Sequence, residues 1–155
     1  MGAVVYFAAL HAPHRKTHSR QQFFKTNGEA AARLISAAKA ASVKRFVITS
    51  STSVYGRAMH SNERAVWVTE SLLAIAEDIY DETKLTAEAF CRDAFVPDFR
   101  TTALRFTRSF LEPLPLMAQH RLHRCMDARE VVSAFSLARF DLHVFTRIIA
   151  TAHAI

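Results

Sequence analysis

Apolar residues open the chain as an unbroken run and then recur as stripes. Residues 3–10 (AVVYFAAL) are continuously apolar with β-branched and aromatic members. A strand covered on both faces of a parallel sheet reads this way, since neither face meets water. The run breaks into His-Pro-His. Residues 26–41 (TNGEAAARLISAAKAA) are alanine-rich, with Leu34, Ile35 and Ala38 on one stripe, and predict an amphipathic helix. Residues 45–49 (RFVIT) read as a short strand ending in the polar turn SSTSVYG, followed by a long loop that contains Trp67 and reaches Asp78. A helix is expected over residues 80–95, closed by Pro97, then a strand over 101–106 (TTALRF). After an irregular stretch with Pro113 and Pro115 come a helix over 128–139 and a strand over 144–149. Alternating strands and helices predict an α/β fold, a mostly parallel sheet with helices layered on it. No repeat or linker divides the 155 residues, so one domain is expected.

In such sheets ligands bind beyond the carboxyl ends of the strands, so residues just after each strand are the first candidates for chemistry. The serine-rich turn 50–56 is one such place. Nearby in the pattern, Tyr80 and Lys84 stand four residues apart in IYDETKLTAEAF. Helical spacing sets that phenol beside a cation on one face. Moving a tyrosine from pH ~10 to about 7 takes roughly 4 kcal/mol of preference for phenolate, much of which a contacting lysine can supply. The pair alone also suits an ordinary solvated helix face. With a hydroxyl from Ser50, Ser51 or Ser53 aimed at the same substrate oxygen, it becomes an acid/base set.

Charge and composition narrow the alternatives. The formal net charge of +6 would suit a polyanion, yet the Lys and Arg residues are scattered, without the clustered stripe of a nucleic-acid binder. The eight histidines form no metal-binding motif, and no metal site is expected. Cys91 and Cys125 imply neither a disulfide framework nor a CxxC redox motif, which suits a reducing cytoplasm. The opening apolar run is too short to span a bilayer, and no membrane association is expected. Tyr55 and Trp67 fit packing better than a substrate pocket.

The order FAALH, TNGEAAARLISAAKAASVKRFVITSSTSVYG, YDETK and ALRF resembles the NAD-dependent epimerase/dehydratase branch of the extended short-chain dehydrogenase/reductase family over nearly the whole chain. The resemblance implies a partial Rossmann-type sheet, mostly parallel with helices on both faces and lacking the first βαβ units. It implies a bound NAD or NADP that exchanges hydride, and a hydroxyl or carbonyl substrate, most commonly a nucleotide sugar. By position it makes Ser51 and Tyr80 the catalytic hydroxyl and the acid/base. Lys84 holds the nicotinamide ribose and lowers the phenol's pKa. Phe7, Ala8, Ala9, Leu10 and His11 pass along the cofactor, and Asn27 lies near it. Helices beginning near Thr26 and Tyr80 would pair across a homodimer.

The chain departs from the family pattern in defined places. Its three glycines, Gly2, Gly28 and Gly56, cannot make the GxxGxxG loop that receives a dinucleotide pyrophosphate. The usual NVxGT is NGEAA here, and Thr107-Arg108-Ser109 replaces Phe-Asn-Pro. The first strand would be the family's fourth, with an apolar edge unpaired. An inactive remnant or a binding module without tight dinucleotide binding is therefore the alternative to an enzyme.

Overall fold

The computed structural model describes residues 2–63, 66–109, 113–121, 126–138 and 146–150. Four strands, β1 (Ala3–Tyr6), β2 (Arg45–Ser51), β3 (Arg100–Phe106) and β4 (Thr146–Ala150), form one parallel sheet in the order β1-β2-β3-β4. The register runs Val5, Val47, Thr102, Thr146 across it. Because side chains alternate along a strand, each face collects its own core. Phe46, Ile48 and Ala103 face one helical layer, while Val47, Leu104 and Phe106 face the other. The expected α/β architecture, with helices on both faces of a parallel sheet, is what these residues build.

The first face is covered by α2 (Ala30–Ala40) and α3 (Ile79–Ala94), the second by α5 (Ala128–Ala138). On α2 the buried stripe is Ala31, Ile35 and Ala38; Leu34, expected on it, is partly exposed. The helix also starts earlier than its alanine-rich core suggests. Ser19 and Gln22 form a reciprocal capping box ahead of α1 (Arg20–Phe23), which continues through a π-helical turn (Phe24–Glu29) into α2. In sequence that start is the Ser-x-x-Gln of SRQQ.

Two further expectations change. The run 3–10 is a strand only over Ala3–Tyr6, because the Leu10 N–H and C=O are taken by the Asn27 amide and not by a ladder. The stretch after Pro113 contains a short helix, α4 (Leu114–Arg121), which accepts Pro115 in its first turn, where a missing N–H costs nothing. Cys125, Arg139, Val144 and Phe145 lie outside the described residues.

Helix α3 is polar toward its start and apolar toward its end: Asp81, Lys84 and Glu88 are buried ahead of Cys91 and Ala94. Glu88 takes a bidentate pair from buried Arg105 on β3, at 2.8 and 2.6 Å, and a 2.6 Å bond from Ser50. Arg105 also stacks 4.7 Å from the Tyr55 ring centre. A buried pair of this kind adds little net stability but fixes geometry. Here it ties the tyrosine-bearing helix to the two central strands.

Candidate active site

Strand β2 ends in two serines that point to opposite faces, as the pleat requires. Ser50 is buried and donates to Glu88, so its role is structural. Ser51 faces a cleft of about 690 Å³ beyond the strand ends, where its oxygen accepts the Ser53 N–H at 3.1 Å and caps the turn Thr52–Tyr55. The chain then reverses at Gly56, whose φ of 44° lies in the region that favours glycine. A Cβ there would sit 2.2 Å from the Ile75 carbonyl oxygen, so only glycine lets the loop close against this turn. Tyr55 is fully buried and donates to the Thr69 carbonyl at 2.9 Å, a packing role; Trp67 is 88% exposed and packs into no core.

Across the cleft, Asp78 caps α3 by accepting the Asp81 N–H at 3.1 Å. One turn of helix then sets Tyr80 and Lys84 in the lining of the same cleft as Ser51. The Lys84 ammonium lies 5.6 Å from the Tyr80 ring centre and donates to the Thr49 carbonyl at 2.7 Å. Burial pulls Lys84 down from 10.5 to about 8, with Glu88 opposing. Burial pushes the Tyr80 phenol up to about 12, against a hydrogen bond with Ser51 and with reinforcement from Asp81 and Asp78. The expected acidification by Lys84 is therefore not what this arrangement produces. The ammonium is turned toward a backbone carbonyl, and desolvation dominates the phenol.

The segment after β1 contributes further lining. Phe7, Ala9 and His11 line the cleft, whereas Ala8, Leu10 and Asn27 do not. Burial lowers the His11 pKa, and His14 and Lys84 lower it further. Asn27 is buried: its Oδ1 accepts the Leu10 N–H at 2.8 Å, and its Nδ2 donates to the Leu10 carbonyl at 2.9 Å and to Thr83 Oγ1 at 3.0 Å. It clamps the segment to α3 and offers no polar group to the cleft.

Residues that the pattern did not single out complete the site. Asp81 is buried and accepts from Ser53 Oγ at 2.6 Å and from the Glu77 N–H at 3.2 Å. Its only sequence signal was its place beside Tyr80. Thr49 and Thr107, both on the cleft wall, carry buried hydroxyls without a hydrogen-bond partner among the described residues. Among the described residues no His, Cys, Asp or Glu group is arranged to hold a metal.

Residues 1–113 match the model of the NAD dependent epimerase/dehydratase family. A UDP-glucose 4-epimerase from Erwinia amylovora is 28% identical over 108 residues, 68% of this chain and 31% of that protein. Among solved structures, MoeE5 in complex with UDP-glucuronic acid and NAD is similar with a TM-score of 0.77 at 22% identity, over 98% of this chain and 57% of that one. A short-chain dehydrogenase/reductase superfamily protein from Agrobacterium tumefaciens with bound NAD gives 0.75 at 22% identity, over 97% of this chain and 60% of that one. These likenesses establish a Rossmann-type fold, and the chain spans well short of the full length of each relative.

Proposed function

Because the chain belongs to the NAD dependent epimerase/dehydratase family, we propose that its cleft handles the hydroxyl or carbonyl of a nucleotide sugar with Ser51, Tyr80 and Lys84 while a bound nicotinamide dinucleotide exchanges hydride. The observation that carries this reading is their meeting in the lining of one cleft, beyond the carboxyl ends of parallel strands. The sugar class follows from the UDP-sugars named with the relatives, and NAD from the solved neighbours; NADP belongs to the same proposal.

The residues present suit the nicotinamide-ribose end of such a cofactor. Lys84 is a buried cation on the cleft wall, Thr49 and Thr107 bring hydroxyls that lack protein partners, and Ala9 is small enough for close approach. Lys84 would hold the ribose hydroxyls, with Phe7 and Ala9 against the ring. Asn27 serves the cofactor indirectly, by fixing the backbone at Leu10. When bound, the dinucleotide supplies the hydride acceptor and donor. At a phenol pKa of about 12, Tyr80 carries its proton at neutral pH and is set to give it to the oxygen of a carbonyl whose carbon accepts hydride. The reverse direction requires Lys84 to leave the Thr49 carbonyl for the phenolate.

The raised phenol pKa is equally compatible with a second reading, an inactive remnant or a binding module without tight dinucleotide binding. Calorimetric titration of the full chain with NAD separates the two. The enzyme predicts saturable heat, weakened about tenfold or more in Lys84→Met, and a wild type that shows no binding refutes it in favour of the second reading. The same proposal includes a reducing, cytoplasmic setting and a homodimer using the outer flanks of α2 and α3, where Leu34 and Phe90 are each more than a third exposed. No helix among the described residues is long and apolar enough to cross a membrane.

A further inference from the structure

On α3 the cleft residues Tyr80 and Lys84 continue into Glu88, since each step of four residues returns to nearly the same helical face. Lys84 and Glu88 are both buried, and Glu88 is held from the sheet. Its Oε1 accepts Ser50 Oγ at 2.6 Å and Arg105 Nε at 2.8 Å, and its Oε2 accepts Arg105 Nη2 at 2.6 Å. Ser50 and Arg105 are register partners on β2 and β3, so the carboxylate closes a ring of three side chains across the two strands. The residue before Ser50 supplies the carbonyl that takes a hydrogen bond from the Lys84 ammonium at 2.7 Å. Two consecutive residues of β2 therefore hold the cation and the anion of α3.

An arginine is a permanent cation, and its bidentate partner is a carboxylate in the charged form. Glu88 is thus a negative charge fixed in place, one helical turn from Lys84. Burial works against an ammonium unless a counter-charge lies close by. We propose that Glu88 is a positioning residue that keeps Lys84 an ammonium in the cleft, while its bond to Ser50 steadies the stretch of β2 whose carbonyl holds that ammonium. The assignment takes the ribose role of Lys84 from the reading above and adds the residue that keeps it charged.

The groups facing Lys84 come from every element packed against it. Burial brings its pKa down to about 8, and Glu88 is the carboxylate that counters the fall. From the segment after β1 comes His11, whose own pKa the Lys84 charge helps to lower. On α3 the Tyr80 ring centre lies 5.6 Å from the ammonium, and the Asp81 carboxylate is engaged by Ser53 Oγ and the Glu77 N–H. From β3, Arg105 is paired with Glu88 and has its guanidinium against the Tyr55 ring. The sign follows from the charge: without the Glu88 carboxylate, Lys84 loses its proton at a lower pH.

Carbon NMR of the lysine Cε groups, followed against pH, tests this on the full chain without cofactor, substrate or turnover, so its outcome does not depend on whether NAD binds. Lys84→Met identifies the Lys84 signal. In the wild type that signal should titrate near pH 8. Glu88→Gln keeps an acceptor for Ser50 and removes the charge; it should lower the Lys84 pKa, shifting its ionisation equilibrium about tenfold. That variant leaves Arg105 without its counter-charge, so Glu88→Gln is also combined with Arg105→Met, which removes both buried charges together and is the change a fold tolerates better. The double variant should move Lys84 in the same direction and by less, a shift that a purely structural role for Glu88 would not produce. A wild-type Lys84 already neutral at pH 7, or a Lys84 titration unchanged in either variant, would overturn the proposal.

Discussion

Lys84 is where residue chemistry and stability meet. Its folded pKa of about 8 lies below its ordinary 10.5, so the folded chain binds fewer protons than the unfolded chain between those values. The cost of burying the cation is complete below about pH 8 and is relieved as the pH rises toward 10.5. Lys84→Met should therefore raise unfolding stability at pH 6 by roughly 2 kcal/mol, with the gain gone above pH 10 or so. Urea denaturation of both proteins at the two pH values checks it, and a gain that does not change with pH would contradict it. The sequence placed this lysine correctly beside Tyr80, because helical periodicity is local. It could not show the Thr49 carbonyl, which arrives from β2 and takes a hydrogen bond from the ammonium. For the same reason Ser50 and Ser51 were indistinguishable as a dipeptide, and only the pleat, with Glu88 waiting behind it, separates them.

Among the elements, the segment after β1 depends on a side chain from the following helix. Asn27 meets both the N–H and the C=O of Leu10, and in sequence it reads equally well as a helix-start residue. Replacing it with alanine leaves a backbone donor, a backbone acceptor and the Thr83 hydroxyl short of a partner. Asn27→Ala should cost on the order of 2 kcal/mol and speed amide exchange at Leu10. Hydrogen exchange by NMR measures this, and unchanged protection at Leu10 would show that the clamp is dispensable. Strand and helix identities were legible from apolar patterning at β2, α3, β3 and α5, where a buried face repeats with the period of the element. The strand end at Tyr6 was not, because an apolar run carries no mark where a ladder gives way to a side-chain clamp. The helix start at Ser19 was written in its Ser-x-x-Gln spacing and hidden by the stronger alanine-rich signal.

Over the whole molecule, the sheet joins two halves of a single argument. Residues distant in sequence, Phe7 and Ala9 after β1, Ser51 at the end of β2, Thr107 after β3 and the Tyr80 turn of α3, reach one cleft because parallel strands put all their carboxyl ends on one side. That convergence could be expected from the alternation of elements alone. The identity of the proposed catalytic set came from family resemblance, and its electrostatics came from neither, since desolvation is a property of the assembled core. β1, at one edge of the sheet, is bonded to β2 on one side, as its corresponding place in the family pattern suggested. The central claim is that Tyr80 transfers the proton of a substrate oxygen while hydride moves to or from a bound nicotinamide. Single-turnover absorbance of the reduced nicotinamide, with the full chain loaded with NAD and mixed with a UDP-sugar, tests it most directly. The wild type should form the reduced chromophore, and Tyr80→Phe should form it about 100-fold or more slowly. Equal rates in the two proteins, or no chromophore from a wild type shown to bind NAD and sugar, would contradict it.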